Sequence, residues 1–173
     1  MFIRSADISD VSKLAEIHII TWRVAYAGLM SKHYLANLNL EKRTADWQGW
    51  ISKPGPGTTV VIEDSGEIRG FCIFGPTRDN DLTTDKIGEI LALNVHPDYW
   101  RCGYGNLLCE WVIHEGQSRE WESMTLWTLK SNERAKLFYE AFGFKSDGSE
   151  RSETLEECKS ELIEEVRYFK TLR

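Results

Sequence analysis

LNVHPDYWRCGYGN, residues Leu93–Asn106, is the stretch on which the fold of this chain turns. Leu93-Asn94-Val95 closes an apolar, β-branched run over Ile87–Val95 that reads as a strand. His96-Pro97-Asp98 ends it, because proline cannot continue a sheet ladder. Gly103 and Gly105 then introduce a helix predicted over 104–119, apolar at Leu107, Leu108, Trp111 and Val112. Glycine lets the backbone approach a ligand closely. A helix N-terminus offers unpaired N–H donors and a partial positive charge, so this unit suits a phosphate or diphosphate, and Arg101 adds a fixed charge. The same residues would also make a plain strand-to-helix turn. Two nucleotide motifs are excluded: no Gly-Lys-Ser/Thr follows, and Leu108 fills the third glycine position of the dinucleotide fingerprint.

Outward from that unit, the N-terminal side is mainly helical. Phe2-Ile3-Arg4 reads as a short strand. Asp7 or Asp10 can cap a helix with apolar positions Val11, Leu14, Ile17, His18 and Ile20, continuing through Trp22 to Tyr26 and closing at Gly28. Helices are predicted over 31–38 and 41–52, the latter stopped by Pro54-Gly55-Pro56-Gly57. Strands at 58–62 and 68–74 flank the turn Asp64-Ser65-Gly66 as a hairpin, and a polar loop spans 76–85. Beyond the helix at 104–119 come a strand at 124–129, a helix at 132–142, a strand opening at Gly143-Phe144 and a last strand near 163–169. The stretch Glu150–Glu165 holds seven glutamates and is predicted to be a solvated loop. Helices, then hairpins, then strand-helix-strand-helix-strand imply an α/β (α+β mixed) fold, a mixed sheet with helices on both faces. No linker or repeat divides the 173 residues, which suit one domain over 1–173.

The bulk composition narrows the class. A net charge of −6 with no Lys/Arg cluster argues against nucleic acid as a partner. The four cysteines, Cys72, Cys102, Cys109 and Cys158, show no CxxC pair, so neither a disulfide framework nor a metal site is expected. The polar N-terminus and the lack of a ~20-residue apolar run point to a soluble, cytoplasmic protein without a membrane partner.

A second stretch, Asn132-Glu133-Arg134-Ala135-Lys136-Leu137-Phe138-Tyr139-Glu140-Ala141-Phe142-Gly143-Phe144, completes the pattern. It is similar to the N-x-x-A-x-x-L/F-Y-x-x-x-G-F motif of the GNAT (Gcn5-related N-acetyltransferase) superfamily. Leu93, Val95, Pro97, Gly103 and Gly105 resemble that family's strand and its Q/R-x-x-G-x-G/A turn, with Trp100 at the Q/R position and Arg101 one place late. The resemblance runs from about Ile3 to Phe169. It implies a mostly antiparallel sheet of six to seven strands, acetyl-CoA as acyl donor, an amine as acceptor and no metal. A homodimer is a possible assembly.

The resemblance also implies site residues. Backbone donors from Arg101, Cys102, Gly103, Tyr104, Gly105 and Asn106 would hold the diphosphate. Asn132 would meet the pantetheine arm, and a β-bulge at Leu93, Asn94 or Val95 would polarise the thioester carbonyl. Tyr139 suits a general acid, since a phenol near pKa ~10 is protonated at neutral pH and can supply a departing thiolate. Asn132 lies two turns earlier on the same face, where it would also serve as an N-cap. Glu89 is the candidate base on the strand leading to Val95, against a cross-strand-paired role. Trp22 and Tyr26, four apart on one helical face with His18, are candidate acceptor-binding residues or core aromatics. A catalytically silent acyl-CoA-binding module is the alternative function.

Overall fold

The computed structural model describes residues 1–82, 85–154 and 162–172. Strands β1 (Phe2–Ser5), β2 (Thr58–Asp64), β3 (Glu67–Pro76), β4 (Ile87–Val95), β5 (Ser123–Leu129), β6 (Lys145–Thr154) and β7 (Leu162–Thr171) form one seven-stranded sheet. Their order is β1-β2-β3-β4-β5-β7-β6. Neighbours run antiparallel except β4 and β5, the parallel pair, whose connection needs a crossover. That crossover is α4 (Tyr104–Ser118); the other helices are α1 (Val11–Ala25), α2 (Lys32–Ala36), α3 (Leu40–Ser52) and α5 (Glu133–Ala141).

Period-two alternation in the strands sends successive side chains to opposite faces. Val61, Phe71, Ile73 and Ala92 pack against α1 and α3. Val60, Ile62, Cys72 and Phe74 pack against α4 and α5 on the other side. Helices α2, α3 and α5 begin on side-chain caps. Ser31 accepts from the Tyr34 N–H at 3.0 Å, Asn39 from the Lys42 N–H at 2.7 Å, and Asn132 from the Ala135 N–H at 3.1 Å. Buried Asp10 ties β1 to the start of α1 by accepting both terminal nitrogens of Arg4 at 2.7 and 2.9 Å.

The acidic stretch departs from expectation. Residues 150–154 are strand rather than loop, paired with the last strand as Glu150↔Val166 through Thr154↔Leu162. Backbone ladders do not require apolar side chains at a sheet edge. Here the charge is offset across strands, with Arg151 on Glu165 and Lys130 on Glu150, each at 2.7 Å. The centre of the expected loop, 155–161 with Cys158, lies outside the described residues.

Helix α3 lies over the β2–β3 part of its face, while α2 and the end of α1 also reach Leu129 of β5 and Ile163 of β7. Beside them the β3–β4 loop lies over Trp127 of β5 and is fastened by Arg167 of β7. This side chain, 4% exposed, donates to Asp81 at 2.7 and 2.8 Å, to Asp147 at 2.7 Å and to Asp79 at 3.2 Å. The Trp127 indole N–H also donates to Asp79 at 3.0 Å. Removing one member of such a buried ionic cluster leaves the others uncompensated. Arg167→Leu is therefore expected to lower stability by about 3 kcal/mol or more. Urea denaturation should show a lower midpoint at an unchanged m-value; a loss under about 1 kcal/mol, the worth of a surface pair, would contradict the clamp.

Candidate active site

The sheet is open where β4 and β5 part. Their pairing covers only Ile87↔Ser123 to Ile90↔Leu126. On its other edge β4 shifts register against β3, with Ile73 opposite Ala92 and Phe74 opposite Ile90, so Leu91 is the extra residue. A bulge bends its strand, and this one bends β4 away from β5. The expected bulge at Leu93–Val95 is corrected to Leu91, because the register change belongs where the β5 ladder stops. Leu93, Asn94 and Val95 instead line the open edge beyond it, without a β5 partner. Leu93 is half-buried against the α4–α5 side, Asn94 is buried, and the Val95 carbonyl accepts from Trp100 Nε1 at 2.6 Å and Thr21 Oγ1 at 3.2 Å.

The N-terminus of α4 lies at the end of this edge. The first helical bond runs from the Leu107 N–H to the Gly103 carbonyl at 3.1 Å, so the N–H groups of Tyr104, Gly105 and Asn106 have no helical partner. Arg101 and Gly103 both take left-handed backbone, at φ 62° and 90°. Only Gly103 does so without strain. A Cβ at Gly105 would sit 3.6 Å from the Phe138 ring, ordinary contact, so packing alone does not demand glycine there. The Cys102 N–H is partly spent on the Tyr99 carbonyl at 3.4 Å, and the Tyr104 hydroxyl turns back to Asp64 at 2.7 Å. Arg101, Cys102 and Asn106 are exposed. Trp100 does not stand in for the missing Gln/Arg as a donor to this turn, since its N–H caps β4.

Helix α5 runs beside this terminus. Asn132 is buried, and its Oδ1 is committed to the Ala135 cap, leaving Nδ2 for any further contact. Tyr139 packs against Phe138 and Phe144, with ring centroids 5.0 and 5.8 Å away. Burial pushes its phenol well above 10, and the thiols of Cys109 and Cys72 and the phenol of Tyr26 add to the shift. Tyr26 comes from the end of α1, across the sheet.

Glu89 is 1% exposed and lies on β4 just before the opening. Both of its oxygens are held by Arg78 of the β3–β4 loop. The backbone N–H donates at 3.0 Å, Nε at 3.2 Å and Nη2 at 2.8 Å. Nothing in the sequence linked these two residues, eleven apart on a loop and a strand.

On the α1 side, Trp22 meets Tyr26 edge-on at 5.1 Å and Tyr34 at 6.4 Å. Burial raises the Tyr26 phenol to about 12, with Glu165 raising it further and Arg134 opposing. Trp22 and Tyr26 pack on a cluster that includes Leu129 and Ile163. Beside that cluster is a cavity of about 390 Å³, bounded by Leu29, Leu129, Leu162 and Ile163 with Lys130 and Glu164 at its polar side. Among the described residues no three His, Cys, Asp or Glu side chains gather as a metal site would require. Among the described residues no helix is long and apolar enough to cross a membrane.

The sheet thus opens at its one parallel pair, with a glycine turn at the start of the helix beside it. Residues 16–144 match the model of the acetyltransferase (GNAT) family, and the chain belongs to that family. It is 28% identical over 144 residues to the uncharacterized N-acetyltransferase YuaI of Bacillus subtilis, covering 81% of this chain and 78% of that one. Its fold is similar to the PaiA N-acetyltransferase of Thermoplasma acidophilum, a complex with coenzyme A, at TM-score 0.74 and 18% identity, covering 98% of both chains. It is likewise similar to YncA of Salmonella typhimurium, a putative acetyltransferase solved with acetyl-CoA, at TM-score 0.69 and 18% identity, covering 99% of this chain and 94% of that one.

His18, on the same α1 face, is buried between Trp22, Trp47 and Phe71, and neither ring nitrogen has a partner. Burial, with a smaller push from Arg43, lowers it to about 3. An unfolded histidine titrates near 6.5, so below that pH the unfolded chain takes up a proton that the folded chain refuses. Stability is thus fully present above about 6.5 and is lost as pH falls toward 3, by up to roughly 4–5 kcal/mol. His18→Phe is expected to flatten this acid limb in urea titrations at pH 4.5 and 7. An unchanged slope would show that other groups carry it.

Proposed function

We propose that this chain moves the acetyl group of acetyl-CoA to a primary amine, acting as one domain over residues 1–173 in the cytoplasm. The observation that carries the reading is the parting of β4 and β5 with the free N–H groups of α4 at one end. Backbone groups on an open strand edge need partners. A pantetheine arm, itself built of amides, supplies them as a missing strand would. The three N–H groups of Tyr104, Gly105 and Asn106 suit its diphosphate, and the room over Gly105 lets phosphate oxygens come close. Leu93, Asn94 and Val95 flank the arm, with Asn132 Nδ2 free to meet it.

In the reaction the amine lone pair forms a C–N bond at the thioester carbonyl carbon and the C–S bond breaks. The sulfur takes a proton while the nitrogen gives one up. Tyr139 donates to the sulfur. Its raised pKa keeps it protonated at working pH, but makes it a poor full donor to a thiolate whose own pKa is near ~8.5. Its contribution is therefore a hydrogen bond to the sulfur that strengthens as charge develops there, and the proton the sulfur finally takes from water balances the one the nitrogen gives up to its base. Glu89 takes the ammonium proton only when Arg78, whose side chain is 62% exposed, swings away. Trp22 and Tyr26 back the cavity beside Leu129, where the acceptor enters.

Millimolar acetyl-CoA is expected to raise the melting temperature by mass action. Gly105→Glu, which has space to fold but sets a carboxylate at the phosphates, should abolish the rise. Tyr139→Phe should lower kcat by ~10²-fold while binding of acetyl-CoA persists. Binding without turnover of any amine in a broad panel would favour a silent acyl-CoA-binding module. For Glu89, the comparison is Glu89→Gln against Arg78→Ala. A base freed from its partner predicts a loss in the first, partly recovered at high pH, and no loss in the second. Equal losses at every pH, with lower melting temperatures, would make the pair structural.

A further inference from the structure

Arginines in this chain are almost all engaged. Arg4, Arg43, Arg69, Arg78, Arg119, Arg151 and Arg167 each meet a carboxylate, and Arg23 binds the carbonyls of Leu35 and Leu38. With six more negative than positive charges, such pairing is what simple mass balance favours. Among the described residues, two arginines have neither a carboxylate nor a carbonyl: Arg101 and Arg134. They come from different elements, yet both adjoin Trp100, Arg101 as its chain neighbour and Arg134 as the cation over its ring.

The packing explains how Arg134 reaches Trp100. Phe138 and Arg134 are four apart, hence on one face of α5. Phe138 is the side chain next to Gly105, which sets that face against the start of α4. One turn earlier, the Arg134 guanidinium lies over the Trp100 ring, 4.0 Å from its centroid. Trp100 is itself fixed by its bond to the Val95 carbonyl. A guanidinium stacked on a fixed indole keeps its in-plane N–H donors directed outward, a geometry suited to phosphate oxygens. Two like charges adjoining one indole, neither bonded to a carboxylate, disfavour the empty protein, and an anion beside them relieves this.

We propose that Arg134, stacked on Trp100, supplies the cation that the Gln/Arg position of the glycine turn lacks, and that with Arg101 it binds the diphosphate of the acyl donor. Trp100 is then a positioning residue, and the sequence has moved the phosphate contact from the turn to α5. This rests on the acetyl-CoA reading above and deepens it.

The test is calorimetric and needs no turnover. Coenzyme A, 3′-dephospho-coenzyme A and pantetheine are titrated into wild type, Arg134→Ala and Arg134→Lys. If wild type binds neither nucleotide ligand, the acetyl-CoA reading itself fails. Given wild-type binding, Arg134→Ala should weaken both nucleotide ligands about ten-fold or more, as expected for a charge-assisted contact, and leave pantetheine unchanged. Arg134→Lys should recover only part, since lysine keeps the charge but not the planar stack. Trp100→Gln, which restores a turn donor, should reduce the penalty of Arg134→Ala in the double variant. Wild-type affinity in Arg134→Ala would overturn the proposal. A penalty seen with coenzyme A but absent with the 3′-dephospho form would overturn it in favour of a contact to the 3′-phosphate.

Discussion

The rest of this structure depends on one interrupted ladder. β4 and β5 are the parallel pair in an otherwise antiparallel sheet, and their pairing ends at Ile90 and Leu126. The extra residue at Leu91 bends β4, so the two strands separate without β4 losing β3. An open edge in the middle of a sheet is unfavourable unless something satisfies its backbone. The protein satisfies part of it internally, by turning Trp100 and Thr21 onto the last carbonyl of β4. What remains is an edge of β4 beyond Ile90 that has no β5 partner.

Everything placed around this opening follows from which element crosses it. Because the β4–β5 connection is a crossover, α4 starts where β4 ends, and its N-terminal donors face the mouth of the opening. Because β5 leads directly into α5, Asn132 and Tyr139 stand on the neighbouring wall. The opposite face brings Tyr26 at the end of α1, packed edge-on against Trp22. Burial is the common cause of the shifts at Tyr139, Tyr26 and His18. It keeps the phenols protonated and the imidazole neutral, so the interior near the opening carries little charge.

Charge is handled differently on the far half of the sheet. There Arg167 gathers Asp79, Asp81 and Asp147, and Arg78 closes over Glu89. These contacts make a polar loop serve as a covering layer over Trp127. Glu89 is thereby tied to the loop's position, so any chemistry it performs is coupled to movement of Arg78.

The sequence by itself determined most of the strands and helices and the cap at Asn132, because these are written in local periodicity and in residues such as Asn132 and Gly103 whose backbone demands are intrinsic. It also carried the two family motifs, which placed the glycine turn and Tyr139. The tertiary structure alone decided the rest. Residues 150–154 became strand because pairing with β7 and cross-strand charge outweighed a composition suited to a loop. The bulge fell at Leu91 because its position is set by where a neighbouring strand stops, which no local window records. Arg78 on Glu89, and Arg134 on Trp100, join residues 11 and 34 positions apart through the sheet and the α4–α5 contact. Local sequence specifies which residues can pair; only the packed chain specifies which of them meet.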